Sequence, residues 1–261
     1  ITIDLAGHTL TNKSGHTITN NGTLTITGNG TVDNITHQKA ALYNTVKGIA
    51  TIENGTLNRS QETGASATES GGNSYYVVLN QGKMTIENGE VVADGKYSSL
   101  IENGWYKPTD NETKTYAELT IENGDFSGGI NTVKNDDYGK LIVNGGTFKN
   151  WKEANACILN WNEATINGGD FSCESQPVLH SSADVDKTTQ NKFDYEKGET
   201  TIKGGDFAGK VECPKGHPHG SITIEGGTFT EDPSAYVADG LSVQKVDGKY
   251  TIAGPVAQIG E

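Results

Sequence analysis

The sequence predicts an all-β fold: a right-handed, single-stranded parallel β-helix of about nine rungs with a C-terminal cap. Three observations carry this. A strand-and-turn phrase recurs along the chain, its apolar residues alternate with period two, and one phenylalanine column recurs at a fixed offset. Composition agrees, since 34 glycines in 261 residues, a wealth of threonine and asparagine, and few helix formers describe strands and tight turns.

The phrase reads LTITGNGTV, ATIENGTL, MTIENGEV, LTIENGDF, LIVNGGTF, ATINGGDF, TTIKGGDF and ITIEGGTF, after a divergent first copy, ITIDLAGHTL. Its central apolar residues are Ile3, Ile26, Ile52, Ile86, Ile121, Val143, Ile166, Ile202 and Ile224, which sets a basic unit of 22 to 23 residues with insertions. The central residue and the one two before it (Leu24, Ala50, Met84, Leu119, Leu141, Ala164, Ile222) share one face. Asn-Gly or Gly-Gly then turns the chain, as at Asn54-Gly55, Asn88-Gly89 and Gly145-Gly146. A second strand brings Leu57, Val91, Phe126, Phe148, Phe171, Phe207 and Phe229 into one inward column, with Val32 one residue late. A third apolar run precedes each phrase and often ends in Asn: AALYN, YVVLN, SLIEN, ACILN, with PVLH ending at His180. Three short strands per unit is the arithmetic of a β-helix.

Residues 1–230 form the expected rod, with corner insertions at 58–74, 104–116 and 181–199, segments rich in polar residues that leave the stack undisturbed. Residues 231–261 form the expected cap. Asp232-Pro233 reads as the start of a short helix and Asp247-Gly248 as a hairpin turn between SVQKV and KYTI, together covering the last open rung.

These features resemble the pectate-lyase-like β-helices of repeat-built surface proteins in Gram-positive bacteria and of phage tails. The resemblance rests on the iterated TIENGTF phrase and on the closing EDPSAYVADGLSVQKVDGKYTI. It implies an extracellular setting, on a bacterial surface or a phage particle. Such proteins include polysaccharide-cleaving enzymes, glycan binders, adhesins and immunoglobulin binders, so the fold narrows the setting more than the chemistry.

A net charge of −13 opposes nucleic-acid binding, and no apolar run is long enough to span a membrane. The chain opens directly in strand pattern at Ile1-Thr2-Ile3 and reads as a processed piece, a monomeric domain of a larger protein. Cys157, Cys173 and Cys213 share no spacing that implies a disulfide framework, and no cofactor is expected. Cys213, His217 and His219 offer three soft ligands without a visible fourth, and an ordinary loop is the simpler reading. The outward threonines (Thr25, Thr51, Thr85, Thr120) reflect β-propensity, because their companions Glu53, Glu87 and Glu122 are charged and expected to be solvated.

For catalysis, the patterns that β-helical lyases and polygalacturonases use are missing. Asp136-Asp137 in NDDYGK is the one paired aspartate, and it becomes an acid–base pair only if further carboxylates converge from adjacent rungs. Otherwise it is a turn. Arg59 is expected to be a solvated side chain of the 58–74 insertion.

The remaining feature is the concentration of exposed-looking aromatics between residues 75 and 161. Tyr76, Tyr97, Trp105, Tyr106, Tyr138, Trp151 and Trp161 are the candidate ligand-binding residues, with Tyr75 and Tyr116 nearby. Several closely follow the asparagine that ends a third strand and would line one edge, where rings with polar tips serve sugars and protein partners. The expected function is therefore a non-enzymatic binding or adhesion module for a host protein (an immunoglobulin among the candidates) or a glycan. A polysaccharide lyase or hydrolase, a passive spacer, and simple packing of loops onto the rod are the alternatives.

Overall fold

The computed structural model describes residues 1–36, 38–60, 76–93, 98–105, 115–151, 155–173, 177–182, 198–213 and 220–254. Their strands form three long sheets, and the chain visits each in turn as it climbs, a parallel β-helix. The first sheet stacks nine strands from Thr2–Asp4 to Ser221–Ile224, matching the nine phrases. The second runs from Thr9–Asn12 to Thr228–Phe229, and the third from Ile18–Asn20 to Val211–Glu212. At about 4.8 Å per rung, nine rungs make a rod roughly 40 Å long.

Register follows the sequence phrase residue for residue: Ile52 lies beside Ile86, Ile86 beside Ile121, and Ile121 beside Val143. Because the side-chain period is two, a slip of one residue would turn every one of these outward, so the buried column fixes the pairing. The predicted phenylalanine column is inward and continuous. Phe126, Phe148, Phe171, Phe207 and Phe229 stack with centroids 4.7–4.9 Å apart and ring planes within 8–11°. A rung spacing equal to a ring-stacking distance leaves no room for water between them.

The third sheet contributes a polar spine. Its strands end in Asn20, Asn44, Asn80, Asn103, Asn135 and Asn160, in register and buried. Each Nδ2 donates to the next Oδ1, at 2.8, 2.8, 2.7, 2.7 and 2.8 Å up to Asn160, which then donates to Thr200 Oγ1 at 2.8 Å. Each amide also bonds corner carbonyls; that of Asn135 donates to Gly139 O (3.1 Å) and Glu163 O (2.9 Å). Sharp corners would otherwise leave buried carbonyls unpaired, and the asparagine column satisfies them rung after rung.

At the C-terminal end, a turn of 3-10 helix at Ser234–Tyr236 precedes a hairpin of Ser242–Val246 and Lys249–Ala253. The hairpin turns at Asp247-Gly248 with both φ positive (49° and 84°), and its second strand pairs antiparallel with Thr228–Phe229. That pairing covers the last parallel strand of the second sheet, which then ends in the antiparallel strand Ser242–Val246.

Candidate functional site: an aromatic corner beside a buried charged cluster

Trp105, Tyr116, Tyr138 and Trp161 gather at the corner where the third sheet passes to the first. Trp105 follows the strand Ile101–Asn103, Trp161 follows Ala156–Asn160, and Tyr116 and Tyr138 immediately precede Ala117–Ile121 and Gly139–Val143. Backbone bonds hold the corner rigid. Trp105 N–H donates to Asp137 O (2.9 Å), Ala117 N–H to Tyr138 O (2.9 Å) and Trp161 N–H to Asn135 O (2.7 Å). Tyr138 sits in the left-handed region at φ 59°, a conformation unusual for a bulky residue. Its ring meets Tyr116 edge to face at 5.8 Å, and the Lys140 ammonium lies 4.2 Å from the Tyr116 ring centre. Trp105 Nε1 donates to Thr115 O at 3.2 Å. Tyr116 is exposed, while Trp105, Tyr138 and Trp161 are half-buried.

The other predicted aromatics fall elsewhere. Tyr76 is buried, so it is not displayed as the sequence suggested, and Trp151 is half-buried at the opposite corner, between the second and third sheets. Tyr75, Tyr97 and Tyr106 lie outside the described residues, as do His217 and His219. Cys213 is partly buried, and its thiol is pushed up to about 11 by that burial and by the charge of Glu212. Among the described residues no group of three or more His, Cys, Asp or Glu is arranged to hold a metal ion. Nor is any described helix long and apolar enough to cross a membrane.

Beneath the aromatic corner lies a cluster that the sequence reading missed. On the outer side of the third sheet, Tyr43, Leu79, Glu102, Lys134, Leu159 and His180 stand side by side on consecutive rungs. Outward phase usually means solvent, yet Glu102, Lys134 and Leu159 are buried, and so are Asp136 and Asp137 in the following corner. Lys134 Nζ contacts Asp136 Oδ2 directly and lies 3.6 Å from Glu102 Oε2. Trp161 closes one side, its ring centre 4.5 Å from Nζ. Burial drives the Glu102 carboxyl well above the ordinary range; Lys134 opposes this, the charge of Asp136 and a hydrogen bond with it add to it, and a bond with Tyr76 opposes it. The carboxylate that NDDYGK needed from a neighbouring rung is thus present, as Glu102.

Arg59 also departs from expectation. It is 2% exposed rather than solvated, at the second-to-third corner, where its N–H donates to Asn58 Oδ1 at 2.7 Å. Ser60 N–H beside it donates to Asp33 Oδ1 at 2.8 Å, and the guanidinium charge reaches His16. Glu53, Glu87 and Glu122 are exposed as expected. No protein-family model, curated protein or solved structure matches the chain.

Proposed function

We propose that the chain is a non-enzymatic binding module displayed outside a bacterial cell or on a phage particle, akin to the pectate-lyase-like surface repeats its phrases resemble. The observation that carries this reading is the convergence of Trp105, Tyr116, Tyr138 and Trp161 on one rigid corner. Partly exposed rings held by backbone bonds give contact area with little ordering entropy left to lose, which suits protein anchors and sugar platforms. The partner would be a host glycoprotein, immunoglobulins included, or a polysaccharide. Net charge of −13 favours a neutral or basic partner surface at short range and is screened beyond about 8 Å in physiological salt.

The buried acids disfavour polysaccharide cleavage. A general acid has to come within about 3 Å of the bond it serves, and Glu102, Asp136 and Asp137 are 1%, 0% and 3% exposed. A glycosidic oxygen has no approach to them.

The test is binding of the domain to glycan arrays and to panels of host secretory proteins, beside a Trp105→Ala/Trp161→Ala variant checked by circular dichroism. Hot-spot aromatics cost about 2 kcal/mol each when truncated, so the double variant should lose at least 100-fold in affinity. Selective binding that survives unchanged in the variant would exclude this corner, and silence on both panels would favour a passive spacer. Release of reducing or unsaturated ends from a polysaccharide would establish an enzyme instead.

A further inference from the structure

The Lys134–Asp136–Glu102 cluster is arranged for a covalent reaction between its own members, independently of what the aromatic corner binds. Three features single it out. First, amine and carboxyl are already in contact: Lys134 Nζ meets Asp136 Oδ2, with Glu102 Oε2 3.6 Å from the same nitrogen. Second, their approach is fixed by the backbone. Asn135, the residue between them, is held inward by the asparagine spine, accepting from Asn103 and donating to Asn160, Gly139 and Glu163. Lys134 and Asp136, two positions apart on one strand and its corner, therefore project to the same outer side, and the held backbone of Asn135 keeps them together. Third, the three side chains are at most 1% exposed, so bulk water is excluded.

A buried ion pair is held at a desolvation cost of several kcal/mol per charge, which moving the ammonium proton onto a carboxylate relieves. The resulting neutral amine and carboxylic acid are the two partners of a condensation. Fixed proximity of this kind corresponds to effective concentrations of about 10⁵ M or more. Glu102 stands in register beside Lys134, and burial holds its carboxyl in the protonated form to a higher pH than usual.

We propose that Lys134 and Asp136 become joined by a side-chain amide (isopeptide) bond, formed spontaneously in the folded chain with Glu102 carrying the proton. The Lys134 Nζ lone pair attacks the Asp136 Cγ, forming the C–N bond. A proton from Nζ passes through the Glu102 carboxyl to the departing Asp136 oxygen, the C–O bond breaks, and one water leaves. Glu102 ends as it began. No oxidant or cofactor enters the balance. The product exchanges a buried ion pair for a neutral amide whose nitrogen still lies against the Trp161 ring.

Intact mass of the purified, denatured domain tests this directly. The main species is expected to be lighter than the sequence mass by one water, and trypsin should fail to cut after Lys134, giving a linear 115–140 peptide short of one water. Lys134→Arg and Glu102→Gln, each checked for fold by circular dichroism, should return to full mass. Full mass in the natural sequence, with normal cleavage after Lys134, would overturn the proposal without any variant being needed. So would a water loss that persists in Lys134→Arg, which marks a cyclised aspartate. A branched product joining peptides 97–114 and 115–140 would move the bond to Glu102 and overturn the assignment to Asp136. A lighter Glu102→Gln would remove Glu102 from the mechanism.

Discussion

Asn103→Ala tests whether the asparagine spine, rather than the apolar columns alone, holds the rungs together. Asn103 is fully buried. It accepts from Asn80 at 2.7 Å and donates to Asn135 Oδ1 at 2.7 Å, to Lys140 O at 3.1 Å and to Ala117 O at 3.4 Å. Three of these are well formed, worth about 1 kcal/mol each net, and losing the donor to the buried Asn135 Oδ1 adds about 1 kcal/mol. The small cavity adds about another 1 kcal/mol, for a total near 5 kcal/mol. Asn20→Ala is the internal control. Asn20 stands at the first rung of the spine, 7% exposed, and donates to Asn44 Oδ1 at 2.8 Å and to Ile49 O at 3.2 Å, so about 2 kcal/mol is expected there. Asn103→Asp should cost more than alanine, because it points a second acceptor at Asn135 Oδ1 and Lys140 O. Urea unfolding followed by far-ultraviolet circular dichroism reads all three from midpoint and slope. An Asn103→Ala cost below about 1 kcal/mol, or one equal to that of Asn20→Ala, would refute the spine as a source of stability.

Three further outcomes follow from the same geometry. Phe148→Ala removes a ring stacked on Phe126 at 4.8 Å and Phe171 at 4.7 Å, and should lower stability by about 4 kcal/mol in urea melts, with Phe148→Leu recovering more than half. Gly124 has φ 135°, and a Cβ there would lie 2.3 Å from the Gly89 carbonyl oxygen, which is fixed in the stack; Gly124→Ala should therefore cost at least about 2 kcal/mol, and a neutral result would show that the corner yields. The imidazole of His16 is held below its usual 6.5 by burial first and by Lys39 next, while its Nδ1 accepts from Ala40 N–H. The unfolded chain then takes up that proton at higher pH than the folded one. The His16 contribution is full above about pH 6.5 and fades as pH falls toward the depressed folded value. Melts of the natural sequence and His16→Asn should diverge over that window, and an unchanged difference would remove His16 as the cause.

How much of this was legible in sequence depends on which side of a strand a residue occupies. Inward columns are readable because period-two alternation and Asn-Gly turns repeat in every unit, so an inward residue finds much the same surroundings from one rung to the next. The spine was half legible. Asn44, Asn80, Asn103, Asn135 and Asn160 each follow an apolar residue two positions back (Leu42, Val78, Ile101, Val133, Ile158), which places them on the inward phase. A buried amide has to be paired, and its counterpart one rung away is the nearest candidate. Outward residues carry no such information. Glu102 in SLIEN and Lys134 in NTVKN have the phase of solvated charges, and their burial depends on chain segments that alternation does not place. Arg59, Asp136 and Asp137 sit at corners, where the sequence reads as a solvated side chain and a turn for the same reason.

The same asymmetry locates what distinguishes this rod from a uniform stack. The outer face of the first sheet repeats threonine at Thr25, Thr51, Thr85 and Thr120 in register, and one such rung is chemically like the next. The third sheet's outer column instead runs through Tyr43, Leu79, Glu102, Lys134, Leu159 and His180, with no two neighbours alike. A repeat that stacks through its inward residues is free to vary outside, so variety alone would signify nothing. Here the middle of the varied column, Glu102, Lys134 and Leu159, is also buried, its charges are matched across adjacent rungs, and the displayed aromatic rings sit on the corner that it supports. Trp161 belongs to both, its ring against the Lys134 amine and its side chain half-buried at the corner. Replacing Lys134 by a neutral residue should therefore be felt at the aromatic corner as well as in the stack, linking the chemistry inside the wall to the surface offered outside it.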